Sequence, residues 1–206
     1  MSLTQTLQDF RDSIVSINGL IASAHATDAA GNNLWTSDET VFITESAFLK
    51  MFIAWESFLE RSFILYLTGN LSITGKTVTR YASPIDEEHA HHILIGVMKY
   101  VDWSNPDIIR KFAKLYFDSG EPYESAISSI FSDLMDLRTI RNSSAHISST
   151  TAKNLDGLAS RKLKKPSAGI KVYDLILALD PDIPGNTILK SYQDILDTAA
   201  ELIANA

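Results

Sequence analysis

Between Ser37 and Gly69 the chain runs without proline or glycine. Along it Phe48, Met51, Phe52, Trp55, Phe58, Leu59, Ser62 and Tyr66 fall at helical spacing. A helix this long and this apolar needs other helices around it and leaves little chain for a sheet. The ends keep the same period. Leu7, Phe10, Ile14, Ile17 and Ile21 repeat within Leu3 to Ala26, and Ile188, Tyr192, Ile195, Leu196, Ala199 and Leu202 within Ile188 to Asn205. The expected fold is all-α: a helical bundle with long irregular connections, formed as a single domain over residues 1–206.

Turn formers divide the pattern. Gly31-Asn32-Asn33 ends the first stretch, Asp38 and Glu39 suit the first turn of the second, and Gly69-Asn70 stops it. Leu71 to Pro84 is turn-rich, with a β-branched run at Ile73 to Val78. Helices are expected from Asp86 to Tyr100, from Asn105-Pro106 to Gly120, with proline at the first helical position, and from Tyr123 to His146. Ser148 to Thr151 and Lys162 to Gly169 read as loops around a short helical piece. Val172 to Leu179 fits a short helix or a strand.

Composition bounds the function. A chain of 206 residues, 45% apolar and 21% charged, can bury a substantial core. The absence of cysteine excludes a disulfide framework and Cys-ligated metal, and fits a reducing compartment. Met1 to Gln8 has neither the basic nor the apolar region of a secretory signal. Ala47 to Leu67 is interrupted by Lys50, Glu56, Glu60 and Arg61, too charged for a membrane span. A cytoplasmic protein without membrane association is expected. The net charge of −7 argues against a nucleic-acid coat but permits an enzyme with a few cations in a cleft. Arg161, Lys162, Lys164, Lys165 and Lys171, and likewise Arg110, Lys111 and Lys114, read as solvated faces.

The chemistry-bearing groups gather in Arg141-Asn142-Ser143-Ser144-Ala145-His146. On a wheel of about 100° per residue, Ile127, Ile130, Leu134 and Leu137 face the core, and their stripe continues onto Arg141 and Ala145. Asn142 and His146 share the adjoining edge, and Arg138 joins it one turn earlier. An arginine on a packed face is costly unless it is paired or opens on a cleft. Beside an amide and an imidazole it outlines a pocket for an anionic group such as a phosphodiester. The plain alternative pairs Arg141 with Glu56 or Glu60 and leaves His146 to the helix C-terminus.

Arg141 followed directly by Asn142, with four residues before His146, resembles the signature of the HEPN superfamily. Ala54-Trp55-Glu56-Ser57-Phe58-Leu59-Glu60, ahead of Tyr66-Leu67-Thr68-Gly69, is similar to the second helix of the HEPN group named RiboL-PSP and of related bacterial HEPN-like nucleases. The resemblance covers most of the chain, and these two helices carry it. It implies a homodimer that brings two Arg–His motifs to a shared cleft. It also implies a metal-independent endoribonuclease without cofactor, acting on RNA as a toxin or defence effector, with an antitoxin protein as a possible partner. Other members of the superfamily are inactive and bind RNA or a partner protein.

Carried over residue by residue, Arg141 holds the scissile phosphate, His146 exchanges protons and Asn142 orients either of them. Arg138 and Glu56 support, the first at the RNA backbone and the second by positioning Arg141. One position departs from the pattern. Two residues after the histidine, where toxins silenced by a nucleotidyltransferase commonly carry tyrosine, stands Ser148. That argues against silencing by modification there.

Other clusters are weaker. Of His89, His91 and His92 only the first and last share a helical face, and the set lacks zinc-site spacing. Gly75-Lys76-Thr77 lacks the earlier glycine and the strand of a phosphate loop. Phe52, Trp55 and Phe58 read as core.

Overall fold

A computed structural model describes residues 2–96, 99–146 and 148–206 of the chain. Among the described residues there are nine α-helices and no strand. They are α1 (Leu3–Ala24), α2 (Ser37–Leu67), α3 (Glu87–Ile95), α4 (Pro106–Tyr116), α5 (Tyr123–Ser129), α6 (Phe131–Ala145), α7 (Ser149–Lys162), α8 (Val172–Leu177) and α9 (Ile188–Ala204). The architecture is all-α, as the periodicity requires. No helix among the described residues is long and apolar enough to cross a membrane.

Side-chain caps set the helix starts. Ahead of α2 the Thr36 N–H donates to Glu39 Oε2 at 2.8 Å, and Glu39 N–H returns to Thr36 Oγ1 at 3.3 Å. Asp86 accepts from His89 N–H at 2.8 Å and starts α3. Asn105 accepts from Asp107 N–H at 3.1 Å, with Pro106 at the first helical position of α4. At the far end of α2, Gly69 turns the chain at φ +92° while Asn70 N–H reaches back to Leu65 C=O at 2.9 Å.

Three expectations are corrected. The helix from Asp86 stops at Gly96, where φ is +54°; Val97 and Met98 lie outside the described residues. The long helix from Tyr123 is two helices, parted at Ile130 with φ −115° and ψ 19°. There the Ser129 hydroxyl donates to Ala126 C=O at 2.8 Å, giving the backbone a local rival to the helical ladder. Finally, Ser148 to Thr151 is a helix start and not a loop: Ser148 caps the fourteen-residue α7. Val172–Leu177 resolves as helix, and the β-branched run at 73–78 is a turn and bend at 73–75 followed by irregular chain.

The chain forms two compact units. The first comprises the chain up to Arg11, Trp55–Met135 and Ile195–Ala206. Its core is aromatic. The rings of Phe10, Trp55 and Phe58 lie within 6.0 Å of one another, Trp55 and Phe58 stacked and Phe10 edge-on to Trp55, and Phe63 meets Phe117 at 4.8 Å and Tyr123 at 4.9 Å. Buried hydroxyls are satisfied: Tyr123 donates to Ser62 Oγ at 3.0 Å and Tyr66 to Ile203 C=O at 2.6 Å. Burial pushes the phenols of both tyrosines up. Outside, Arg11 spans Asp197 and Glu201.

The second unit comprises Asp12–Ala54 and Asp136–Asp194. Phe48, Met51, Phe52, Leu137, Ile140, Leu155, Leu158, Leu175, Leu189 and Tyr192 are buried in it. The Tyr173 ring stacks on His25 at 5.9 Å, and its hydroxyl meets His25 Nε2 at 3.0 Å. Asn18 and Gln193 exchange reciprocal amide hydrogen bonds at 3.1 and 2.8 Å. This unit holds α7, α8 and the C-terminal part of α6.

Candidate functional site

The candidate site starts from the last turn of α6. Leu134, Leu137 and Ile140 are buried at three-residue intervals. Three residues turn a helix by about 300°, so each step moves the buried stripe back round the axis. Past Ile140 the next four residues, Arg141 to Ser144, are all half-buried, and the stripe does not reach Ala145, which is exposed. Arg141 sits beside it and is half-buried. The serines bond locally, with Ser143 Oγ 2.9 Å from Thr139 C=O and Ser144 Oγ 3.2 Å from Ile140 C=O.

Arg141 and Asn142 are brought together, the guanidinium Nη1 donating to Asn142 Oδ1 at 3.2 Å. That bond presets both groups on one edge of the helix. His146 is the first residue past α6 and is exposed. Its backbone is held on both sides: N–H donates to Asn142 C=O at 3.0 Å, and C=O accepts from the Thr151 hydroxyl at 2.8 Å. Among the described residues no hydrogen bond or ion pair joins the Arg141 guanidinium to the His146 imidazole. A cation, an amide and a solvent-accessible imidazole thus share one helix terminus, and the imidazole is open to a ligand.

Arg138 is half-buried on α6, within the same unit. Glu56 is half-buried on α2 and belongs to the other unit. Glu60, the other acid on α2 that could face Arg141, lies 3.7 Å from His91 Nδ1. His89 sits in the first turn of α3, its Nδ1 3.4 Å from Ile85 N–H. Among the described residues no three potential metal ligands gather.

Ser148 accepts from Thr151 N–H at 3.1 Å, and the Thr151 hydroxyl accepts from Ser148 N–H at 3.0 Å. The two form a reciprocal cap on α7. Ser148 therefore has a structural task here.

One buried carboxylate carries no mark in the sequence pattern beyond its place on a helix face. Asp136 on α6, its side chain 8% exposed, is paired with Arg161 and with Lys162 Nζ at 3.5 Å, both from the end of α7. The Tyr192 hydroxyl completes the set at 3.1 Å, and Lys162 also lies 4.8 Å over the Tyr192 ring. Lys164 pairs with Asp182. Three of the five cations of the 161–171 cluster are thus matched to acids of their own unit. In the other unit Arg110 and Lys114 converge on Glu124, at 2.5 and 3.1 Å. The available signal was an acid four residues before Ile140, on the buried face.

Compared with family models, curated proteins and solved structures, the chain finds no match.

Proposed function

We propose that this chain is a metal-independent endoribonuclease of the HEPN type, acting as a homodimer and serving as a toxin or defence effector. One observation carries the reading. A half-buried arginine, preset by Asn142, shares the end of α6 with an exposed imidazole whose backbone is held at both its N–H and its C=O. The motif Arg141-Asn142 with His146, and its likeness to the HEPN signature, supply the chemistry.

RNA carries its own nucleophile. The 2′-oxygen attacks the adjacent phosphorus, the bond to the 5′-oxygen breaks, and a 2′,3′-cyclic phosphate and a 5′-hydroxyl result. One proton leaves the 2′-hydroxyl and one reaches the leaving oxygen. Imidazole is suited to both transfers near neutral pH, and two copies of His146 in a dimer divide them. Arg141 stays protonated and holds the phosphate oxygens as negative charge develops. Asn142 keeps the guanidinium oriented, and Arg138 contacts the RNA backbone.

The test is cleavage of a synthetic RNA in EDTA. Purified protein should yield the cyclic phosphate, and a single 2′-deoxy substitution at the cut site should block it. His146→Ala cutting at the parent rate would refute the mechanism.

A second reading has its own support. With Arg161, Lys162 and Lys164 matched to acids, that segment has less positive charge to offer RNA than its sequence suggests. An inactive HEPN module that binds a partner protein fits that surface. A gel shift with RNA but no cleavage, or neither, separates these outcomes.

A further inference from the structure

The hydroxyl of Thr151 stands where two helices meet in sequence. It lies 2.8 Å from His146 C=O, 3.0 Å from Ser148 C=O and 3.0 Å from Ser148 N–H. A hydroxyl has one proton to give, and the His146 carbonyl is its nearest acceptor. The same residue's carbonyl lies 3.2 Å from Ser143 Oγ on α6, and its N–H donates to Ser148 Oγ at 3.1 Å. Thr151 therefore ties α6, the His146 backbone and the start of α7 at one point. His146 itself has left the helix and is exposed, so packing does little to hold it.

We propose that Thr151 is the positioning residue of this site, fixing the direction in which the His146 imidazole leaves the backbone. The inference rests on the ribonuclease reading above and deepens it. Reaction geometry tolerates little slack, and misplacing a catalytic group by about 1 Å costs up to roughly a hundredfold in rate. Once the Thr151–His146 bond is lost, the His146 carbonyl loses this anchor. The ring then samples directions that the bound phosphate does not meet.

The cap and the positioning role can be parted. Ser148→Ala removes the Ser148 half of the reciprocal cap and leaves the Thr151–His146 bond in place. Thr151→Val removes the hydroxyl at nearly constant shape, and Thr151→Ser restores it. For RNA cleavage, Thr151→Val should lose about tenfold or more in kcat with KM nearly unchanged, while Thr151→Ser and Ser148→Ala stay within about threefold of the parent. The carbon–proton correlation signal of the His146 ring, recorded on the protein without RNA, should split or broaden in Thr151→Val only. Equal loss of kcat in Ser148→Ala and Thr151→Val would assign the effect to helix capping and overturn the proposal. So would an unchanged ring signal in Thr151→Val. If the parent cleaves no RNA, the ribonuclease reading fails by itself, and the ring signal still decides whether Thr151 orders His146.

Discussion

The Tyr192 hydroxyl donates to Oδ2 of Asp136 at 3.1 Å, linking α9 to α6 inside one unit. Both residues are buried, and Asp136 also carries Arg161 and Lys162. Such a carboxylate matters most through what its loss leaves behind. Asp136→Ala takes an acceptor from a buried phenol and a countercharge from a largely buried ammonium, a cost of about 2–4 kcal/mol. For a chain of this size the melting temperature should fall by roughly 5–12 °C. Asp136→Asn keeps an acceptor for Tyr192 and should fall about half as far. Thermal unfolding followed by circular dichroism measures both, and an unchanged midpoint in Asp136→Ala would show the network to be energetically idle.

Glu124 predicts a pH dependence. Hydrogen bonding from Arg110, reinforced by Lys114, holds its carboxyl at about 2, well below the ordinary 4.5. A carboxyl depressed on folding contributes stability that is full above its unfolded value and disappears as pH falls through the folded one. The window is therefore 4.5 down to about 2. Arg110 and Lys114 are partly exposed, so solvent screening keeps the contribution near about 1 kcal/mol. Glu124→Gln should melt a few degrees below the parent at neutral pH, and the two curves should converge as pH approaches the lower end of the window. Curves that stay parallel throughout would contradict the assignment.

Regular elements were readable because their signal is local and redundant. The helices at Leu3, Ser37, Pro106 and Ile188 each combine an apolar period with turn formers at their edges. The break at Ile130 left no mark in that period, because it is marked by one hydroxyl of Ser129 bonding to Ala126 C=O. The start of α7 was hidden by its own chemistry. Ser148-Ser149-Thr150-Thr151 reads as a polar loop, yet its outer pair are the two halves of a cap built with threonine in place of glutamate. In the site, Arg141, Asn142 and His146 were legible as a motif. The Thr151 contact was not, because it is a bond to a backbone carbonyl five residues earlier. Asp136 was missed because its cationic partners lie 25 residues on, beyond any periodic reading.

Gly69 is replaceable only at a cost. Its φ of +92° disfavours any L side chain, and an added Cβ would stand 2.7 Å from Cζ of Arg80. Gly69→Ala must strain the end of α2 and displace a guanidinium whose Nε is buried without a partner. The expected loss is about 2 kcal/mol or more, well above the few tenths typical of surface changes. Denaturant unfolding would show a lower midpoint at constant slope. A variant as stable as the parent would mean that Arg80 swings aside freely and that the turn adapts.

The proposed homodimer needs a surface, and α2 carries exposed apolar groups along one side. Phe42 is 73% exposed and Ile53 59% exposed, with Leu49 and Ser46 half-buried between them. Positions 42, 46, 49 and 53 fall on one side of a helix, so the apolar groups form a continuous stripe. Antiparallel pairing about a twofold axis midway along the stripe would set Phe42 of one copy against Ile53 of the other, and Ser46 against Leu49. The small serine leaves room for the leucine, as a self-complementary contact requires. Light scattering coupled to gel filtration should give twice the chain mass for the parent and a monomer for Phe42→Glu with Ile53→Glu. If the parent dimerises and this double variant still does, the shared cleft must be built from another face. If RNA cleavage also survives in a monomeric variant, the division of proton transfers between two copies of His146 is wrong, and one imidazole serves alone.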